Sequence, residues 1–421
     1  MTDQPTCCDE YAGASRRGFL RGALGAAAGA AAVSATFGDV FTSTAYAATG
    51  TAESVMVVLS LRGAVDGMSL VVPHGDPVYY SARPRIAVPS EKLLVKDAMF
   101  GLHPNLAPLV PLWKAGKLAA VQATGLHAPN RSHFSAMEEL EDADPGSSAR
   151  VGWLNRMIGR DTGSSPLQAI QMGDGVPPAS LYGPQPVLAT RDIDSVQLKG
   201  ADDPDGRRGR VASLNTTWGN APGPLGKGAR SALQVVRDFR PVQATSAKPQ
   251  NGANYPAGDL GDALAGAARA IRADVGAEVI TVDYGSWDMH MNLGDLASGE
   301  MRTMSAVLGQ AMAAFFTDLG LLGDKVTLVT ISEFGRRVKE NANRGLDHGY
   351  GNVMFLAGAG VKGGKFYGNW PGLEGNTDSD LLVTTDYRSV LNEVARSRFN
   401  ASTAQVFPGF QPEHIGVMAG Q

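Results

Sequence analysis

The chain has 421 residues, with 37 Lys and Arg against 41 Asp and Glu and a formal net charge of −4. So slight an acidic balance excludes the basic footprint of a nucleic-acid-binding protein, or of one held to an anionic membrane by charge. The two cysteines, Cys7 and Cys8, both lie near the start.

The first segment reads as an export leader. SRRGFLRG places Arg16 and Arg17 ahead of Phe19 and Leu20, a weakly apolar run follows, and AYA closes it at Ala45–Ala47. This order predicts a twin-arginine signal peptide over 1–47, cleaved after Ala47, and hence a periplasmic or secreted protein that meets the twin-arginine translocase. The run is too rich in small residues to remain as a stable membrane anchor. Cleavage removes both cysteines, so residues 48–421 would have no thiolate nucleophile, disulfide or cysteine metal site. It also removes Arg16, Arg17, Arg21, Asp3, Asp9, Glu10 and Asp39, leaving 34 basic against 37 acidic side chains.

In chain order, nearly unbroken apolar runs at 55–61, 118–125, 277–284, 326–331 and 353–360 predict strands buried on both faces. Between them, LAPLVPLWKAG, SAMEELEDA, LGDALAGAARAIRADVG, MRTMSAVLGQAMAAFFTDLG and DYRSVLNEVARSRF carry helical periodicity. Alternation of this kind predicts an α/β fold, a mostly parallel sheet sandwiched by helices, within a single domain over 48–421. Residues from about 160 to 260 hold few clear elements and read as an irregular cap insertion, with Pro-, Gly- and Asn-rich excursions at 200–210 and 240–259.

Ligands of open parallel sheets sit beyond the carboxyl ends of the strands, and unusual chemistry collects there. After the first strand, Asp66 in RGAVDGMS is either a turn residue before Gly67 or a metal-binding carboxylate. After the second, Ser132 in PNRSHF precedes a helix start between Arg131 and His133. A hydroxyl there feels the positive end of the helix dipole, which suits a nucleophile, although Ser135 and Glu138 also spell a capping box. HAPNR (127–131) follows the pattern of formylglycine sulfatases, but His127 stands at the modified position and excludes that mechanism. In GSWDMH, Asp288 and His290 are two apart and face one side of an extended segment, a ligand mix for zinc, manganese or iron. Glu333 follows the fourth strand, Arg336 and Arg337 come next as possible partners of an anion, and Asp347-His348 closes the loop before the fifth. His74, His103, His127 and His414 have no such setting and read as structural or surface residues. GAGVKGGKFYG (358–368) and DDPDG (202–206) fail the phosphate-loop and EF-hand spacings and read as turns.

RGAVDG, PNRSHF, GSWDMH, SEFGR and DHG in this order, behind a twin-arginine leader, resemble the exported bacterial family catalogued as domain of unknown function 1501. The resemblance spans about residues 55–415 and implies a branch of the alkaline-phosphatase-like superfamily, which also holds sulfatases and phosphodiesterases. It implies one or two divalent ions (zinc, manganese or calcium) on Asp66, Asp288, His290, Glu333 and His348, with Asp347 a further ligand. Ser132 would be the nucleophile toward a phosphate or sulfate ester, His133 a proton shuttle and Arg131 a clamp on the anionic substrate. Against the two-zinc phosphatase pattern the chain is one histidine short. The alternative is therefore a catalytically degenerate member that binds an anionic ligand or exported partner.

Overall fold

The structure, a computed structural model, describes residues 51–158, 165–198 and 209–420. The expected leader over 1–47 and the acidic turn at 202–206 lie outside the described residues.

Eleven strands are described: β1 Val55–Leu61, β2 Val71–Val72, β3 Gly101–Leu102, β4 Leu118–Gly125, β5 Ala169–Met172, β6 Leu188–Thr190, β7 Val279–Tyr284, β8 Val326–Ile331, β9 Asn352–Gly358, β10 Phe366–Tyr367 and β11 Thr385–Asp386. Nine form one sheet in the order β10-β4-β9-β8-β1-β7-β5-β6, with β11 also on β4, while β2 and β3 make a small antiparallel pair. The sheet is mixed but mostly parallel, with flanking helices. β1, β5, β6, β7 and β8 pair in parallel, as do β10 and β11 with β4, whereas β9 runs antiparallel to both β4 and β8. One reversed strand between β4 and β8 has a consequence for the site: the segment entering β9 starts at the edge where the others finish.

β1 shows why the apolar runs were continuous. Val55, Val57, Leu59 and Leu61 enter one core while Met56 and Val58 enter the other, the period-2 alternation of a strand covered on both faces. The first core includes helices Asp259–Ala273 and Glu300–Leu319. The second takes helices His133–Asp142, Trp153–Ile158 and Tyr387–Phe399. Glu300–Lys325 is long and apolar enough to cross a membrane by composition, but Leu308, Ala311, Met312 and Phe315 are buried in the first core. Each fully buried Leu or Phe of this kind contributes about 1.5–3 kcal/mol, so burial accounts for the helix's apolar character.

Two segments differ from expectation. The run LAPLVPLWKAG becomes a 3-10 turn, Pro104–Leu109, followed by a short α-helix, Val110–Lys114, because Pro108 and Pro111 lack the N–H that a continuous helix needs. The described residues of the region 160–260 are also more regular than its composition suggests. They supply β5 and β6, too short to stand out in sequence, and helices Gly209–Trp218, Gly223–Asp238 and Arg240–Ala244. Of the described residues, 209–234 belong to one compact unit and 51–158, 165–198 and 235–420 to another. Within the smaller unit, Arg230 Nη1 donates to the carbonyls of Trp218 (3.0 Å) and Ala221 (2.8 Å). In the larger, buried Asp318 accepts from Gln250 N at 2.7 Å and Tyr255 Oη at 3.0 Å, which orders much of the 240–259 excursion.

His103 caps the 3-10 turn: its buried Nδ1 accepts from Asn105 N–H at 3.1 Å, and burial pushes its pKa from 6.5 down to about 4. The folded chain thus holds this imidazole neutral while the unfolded chain protonates near 6.5, so stability present above pH 6.5 is lost as pH falls toward 4. From pH 7 to pH 4, urea denaturation should show the wild type losing on the order of 3 kcal/mol more than His103→Asn, which keeps a cap without a titrating group. Parallel pH profiles would exclude this role for His103.

Candidate metal centre

Residues from four segments meet at the carboxyl edge of the sheet. His133 opens the helix after β4, Asp288 and His290 follow β7, Glu333 and Arg336 follow β8, and Asp347 and His348 precede β9. The last two loops pair with each other: Gly335 N donates to Tyr350 O (2.8 Å) and Gly349 N to Gly335 O (2.9 Å). A side chain at Gly349 would strike the Arg336 backbone at 2.3 Å, so a glycine is needed beside His348. Gly63, at φ +104°, lets the loop after β1 pass equally close: an added Cβ would lie 2.8 Å from the backbone nitrogens of Trp287 and Asp288.

The Nε2 atoms of three imidazoles converge with one carboxylate oxygen. His348 Nε2 is 2.9 Å from His133 Nε2 and 2.9 Å from His290 Nε2. Asp288 Oδ1 lies 3.1 Å from His290 Nε2, 3.4 Å from His348 Nε2 and 3.5 Å from His133 Nε2. The opposite ring nitrogens are all engaged. His133 Nδ1 meets Glu333 Oε1 at 2.8 Å, His290 Nδ1 meets Asp347 Oδ1 at 3.0 Å, and His348 Nδ1 meets the Arg131 carbonyl at 2.9 Å. Carboxylates and carbonyls only accept, so in each neutral ring the proton sits on Nδ1 and Nε2 carries a bare lone pair. Two bare lone pairs at 2.9 Å repel, and a proton or a cation between them removes the conflict. His133, Asp288 and His348 in particular offer donor atoms within 4.8 Å of one another, a set that could hold a metal ion. The donor chemistry therefore fits a metal.

Packing so many ionisable groups together shifts their titration in both directions. Burial opposes the charged form of His133, but hydrogen bonds to Asp288 and Glu333 outweigh it and push its pKa up to about 9. Asp288 also loses solvation on burial, yet the three imidazoles and Arg336 hold it far below the usual carboxylate range. Burial lowers the pKa of His348, whereas contact with Asp288 raises that of His290. Glu333 and Asp347 are desolvated too, and their bonds to His133 and His290 bring both below the ordinary value.

The structure gives several of these residues partners that the sequence reading did not assign. His133, read as a proton shuttle, has both nitrogens committed and joins the donor cluster. Glu333 and Asp347, read as ligands, instead face the outer nitrogens of His133 and His290. Glu333 is further fixed by Gly63 N–H (2.8 Å) and Ser332 Oγ (3.2 Å), and Asp347 by Asn341 Nδ2 (3.1 Å). Asp66, also read as a ligand, is turned away: buried Arg83 takes both its oxygens, Nη1–Oδ2 at 2.6 Å and Nη2–Oδ1 at 3.1 Å. Arg336, read as a partner for an anion, is 1 % exposed and donates to Asp288 Oδ1 at 2.6 Å. Arg337 donates to the His348 carbonyl at 3.2 Å and lies 3.2 Å from Asp378.

Ser132 and Arg131 remain accessible. Ser132 is the N-cap of helix His133–Asp142 and makes no side-chain capping bond, so the box suggested at Ser135 is not the helix start. Arg131 is exposed and ion-paired with Asp380. Arg83, Asn341 and Asp380 had no signal in the sequence. Their partners are 17, 6 and 249 residues away, and no local pattern marks them.

The family described as "Protein of unknown function (DUF1501)" matches residues 118–394, more than half of the chain, and the chain belongs to that family. The match includes all the residues of the cluster, and Asp66 lies before it. No curated protein matches. Among solved structures, the lipoteichoic acid synthase LtaP from Listeria monocytogenes shares 8% identity over 79% of this chain and 73% of its own, at a TM-score of 0.28. That likeness is too remote to argue from.

The Asp66–Arg83 pair gives a direct test of the reassignment. Asp66→Ala strands a buried guanidinium and should cost about 3–5 kcal/mol in urea denaturation while leaving metal content unchanged. Loss of metal with stability retained would return Asp66 to the ligand set.

Proposed function

We propose that the chain is an exported metal-dependent hydrolase of phosphate or sulfate esters, built on an alkaline-phosphatase-like sheet, with Ser132 as nucleophile. The observation that carries this reading is the placement of an exposed, uncapped hydroxyl one residue before His133, at the first turn of a helix. The His348 Nδ1–Arg131 carbonyl bond, 2.9 Å, ties the peptide just before Ser132 to the cluster. The positive end of the helix dipole favours an anionic ester at that point.

In this reading Ser132 Oγ attacks phosphorus or sulfur, the bond to the leaving alcohol breaks, and water then cleaves the seryl ester to return the hydroxyl and release the inorganic anion. A divalent ion on His133, Asp288 and His348, when bound, supplies Lewis-acid charge. Glu333 orients His133, and Asp347 orients His290. Arg131, exposed at the mouth, exchanges Asp380 for the ester oxygens and clamps them bidentately. Export rests on residues 1–47 and places the substrate outside the cytoplasm.

A ligand-binding role without turnover is favoured by one observation: Asp66 is committed to Arg83, which removes a carboxylate from any second ion. Ser132→Ala separates the two. Against p-nitrophenyl phosphate and p-nitrophenyl sulfate, with the fold checked by circular dichroism, the variant should lose at least about 100-fold in kcat. A loss below tenfold would exclude a covalent role for Ser132. Absence of turnover by the metal-loaded wild type on every ester tried would favour binding.

A further inference from the structure

We infer that Asp380 is a built-in competitor for the anion: its carboxylate stands in a subsite of Arg131 and Arg337 that better fits a tetrahedral dianion with three free oxygens, the head group of a phosphate monoester. Binding of that head group displaces Asp380 and, with it, the exposed segment 374–380. The inference rests on the anion clamp of the proposed function and not on turnover.

Both arginines are held to His348 through the backbone. The Arg131 carbonyl meets His348 Nδ1 at 2.9 Å, and Arg337 Nε donates to the His348 carbonyl at 3.2 Å. Asp380 lies against both side chains. Its Oδ2 accepts from Arg131 Nη2, and its backbone bridges that of Arg337. The second side-chain contact is left incomplete: Arg337 Nε and Asp380 Oδ1 are 3.7 Å apart, too far for a hydrogen bond. Asp380 Oδ1 and Arg337 Nη1 are both buried and have no hydrogen-bond partner. Nη1 does come within 3.2 Å of Asp378 Oδ1, but out of line for a hydrogen bond, and the Asp378 side chain is 88 % exposed.

One planar carboxylate therefore serves one arginine and leaves a donor of the other idle. A tetrahedral oxyanion turns its oxygens in three directions and can engage both guanidinium forks at once. Charge favours the same exchange. The two arginines against Asp380 leave a formal +1, which a dianion in its place removes, whereas a diester brings one charge and two free oxygens. The segment is also free to give way. Leu373 and Leu381 anchor it as buried residues, and 374–378 between them are exposed throughout. Near its end, Ser379 O accepts from Val338 N–H at 3.0 Å.

The test is isothermal titration calorimetry of the purified full-length chain with inorganic phosphate and with dimethyl phosphate, at pH 8 and equal metal content. Asp380→Asn should bind inorganic phosphate at least about 10-fold tighter than the wild type, because a like charge has left the subsite. In the double variant Asp380→Asn, Arg337→Gln that gain should vanish, and for dimethyl phosphate the gain should stay below about threefold. Removing a side chain with a purely structural role would not tighten binding. In the wild type, saturating phosphate should also speed amide hydrogen exchange at Val338, whose acceptor on Ser379 moves away. That readout decides the point if Asp380→Asn does not fold. No gain in Asp380→Asn, a gain that survives loss of Arg337, an equal gain for dimethyl phosphate, or exchange at Val338 unchanged by phosphate would each overturn the inference. Tighter phosphate binding without turnover of any ester would leave it standing and overturn the hydrolase reading alone. Ester hydrolysis with phosphate affinity untouched by Asp380→Asn would do the reverse.

Discussion

Arg336 is the residue on which the geometry of this edge depends. Its guanidinium is buried and donates from Nε to Ala64 O (2.7 Å), from Nη1 to Leu346 O (3.0 Å), and from Nη2 to Gly63 O (2.6 Å) and Asp288 Oδ1 (2.6 Å). One side chain thus joins the loops that follow β1, β7 and β8 and the loop that enters β9. A guanidinium is suited to this: it is planar, permanently charged and carries five donors in a fixed fork. An apolar replacement would leave three carbonyls and a carboxylate short of a donor, each at a desolvation cost of about 1–3 kcal/mol or more.

Arg83 repeats the device one layer out. It holds Asp66 bidentately and donates from Nε to Val338 O at 2.9 Å and from Nη2 to Arg337 O at 3.0 Å, so the loop after β8 is tied on both sides. Buried ion pairs contribute little net stability against an apolar alternative, but they fix one arrangement where packing alone would allow several. A centre built from loops needs that restraint. Glu393 applies the same principle at the far end of the chain, where its carboxylate accepts the backbone N–H groups of residues 415–418 at 2.7–3.2 Å.

The distribution of charge separates the roles of groups that look alike in sequence. Three carboxylates, Asp288, Glu333 and Asp347, lie near the three histidines. Asp288 alone points at the inward nitrogens, while the other two meet outward ones. Of the six candidate ligands, Asp288, His290 and His348 turn donor atoms inward, while Glu333 and Asp347 lie on outer imidazole nitrogens and Asp66 on Arg83. The same arrangement also brings in His133, which sequence order had placed with the nucleophile because it stands next to Ser132.

What the sequence determined by itself is the set of buried strands and the edge at which chemistry collects. β1, β4 and β8 begin and end where the apolar runs do, since a strand covered on both faces has no reason to break its apolar pattern until it leaves the core. Ser132, His133, Asp288, His290, Glu333, Asp347 and His348 were legible as a group because polar residues at such an edge are costly to desolvate without a purpose. Strand direction was not legible. β9 reads like its parallel neighbours, yet its reversal is what places His348 beside residues from β4, β7 and β8. Nor were the partners of Asp66 and Glu333, because Arg83 and His133 reach them over 17 and 200 residues. Ligand and orienting roles differ by which nitrogen of an imidazole faces which oxygen, and only tertiary packing sets that.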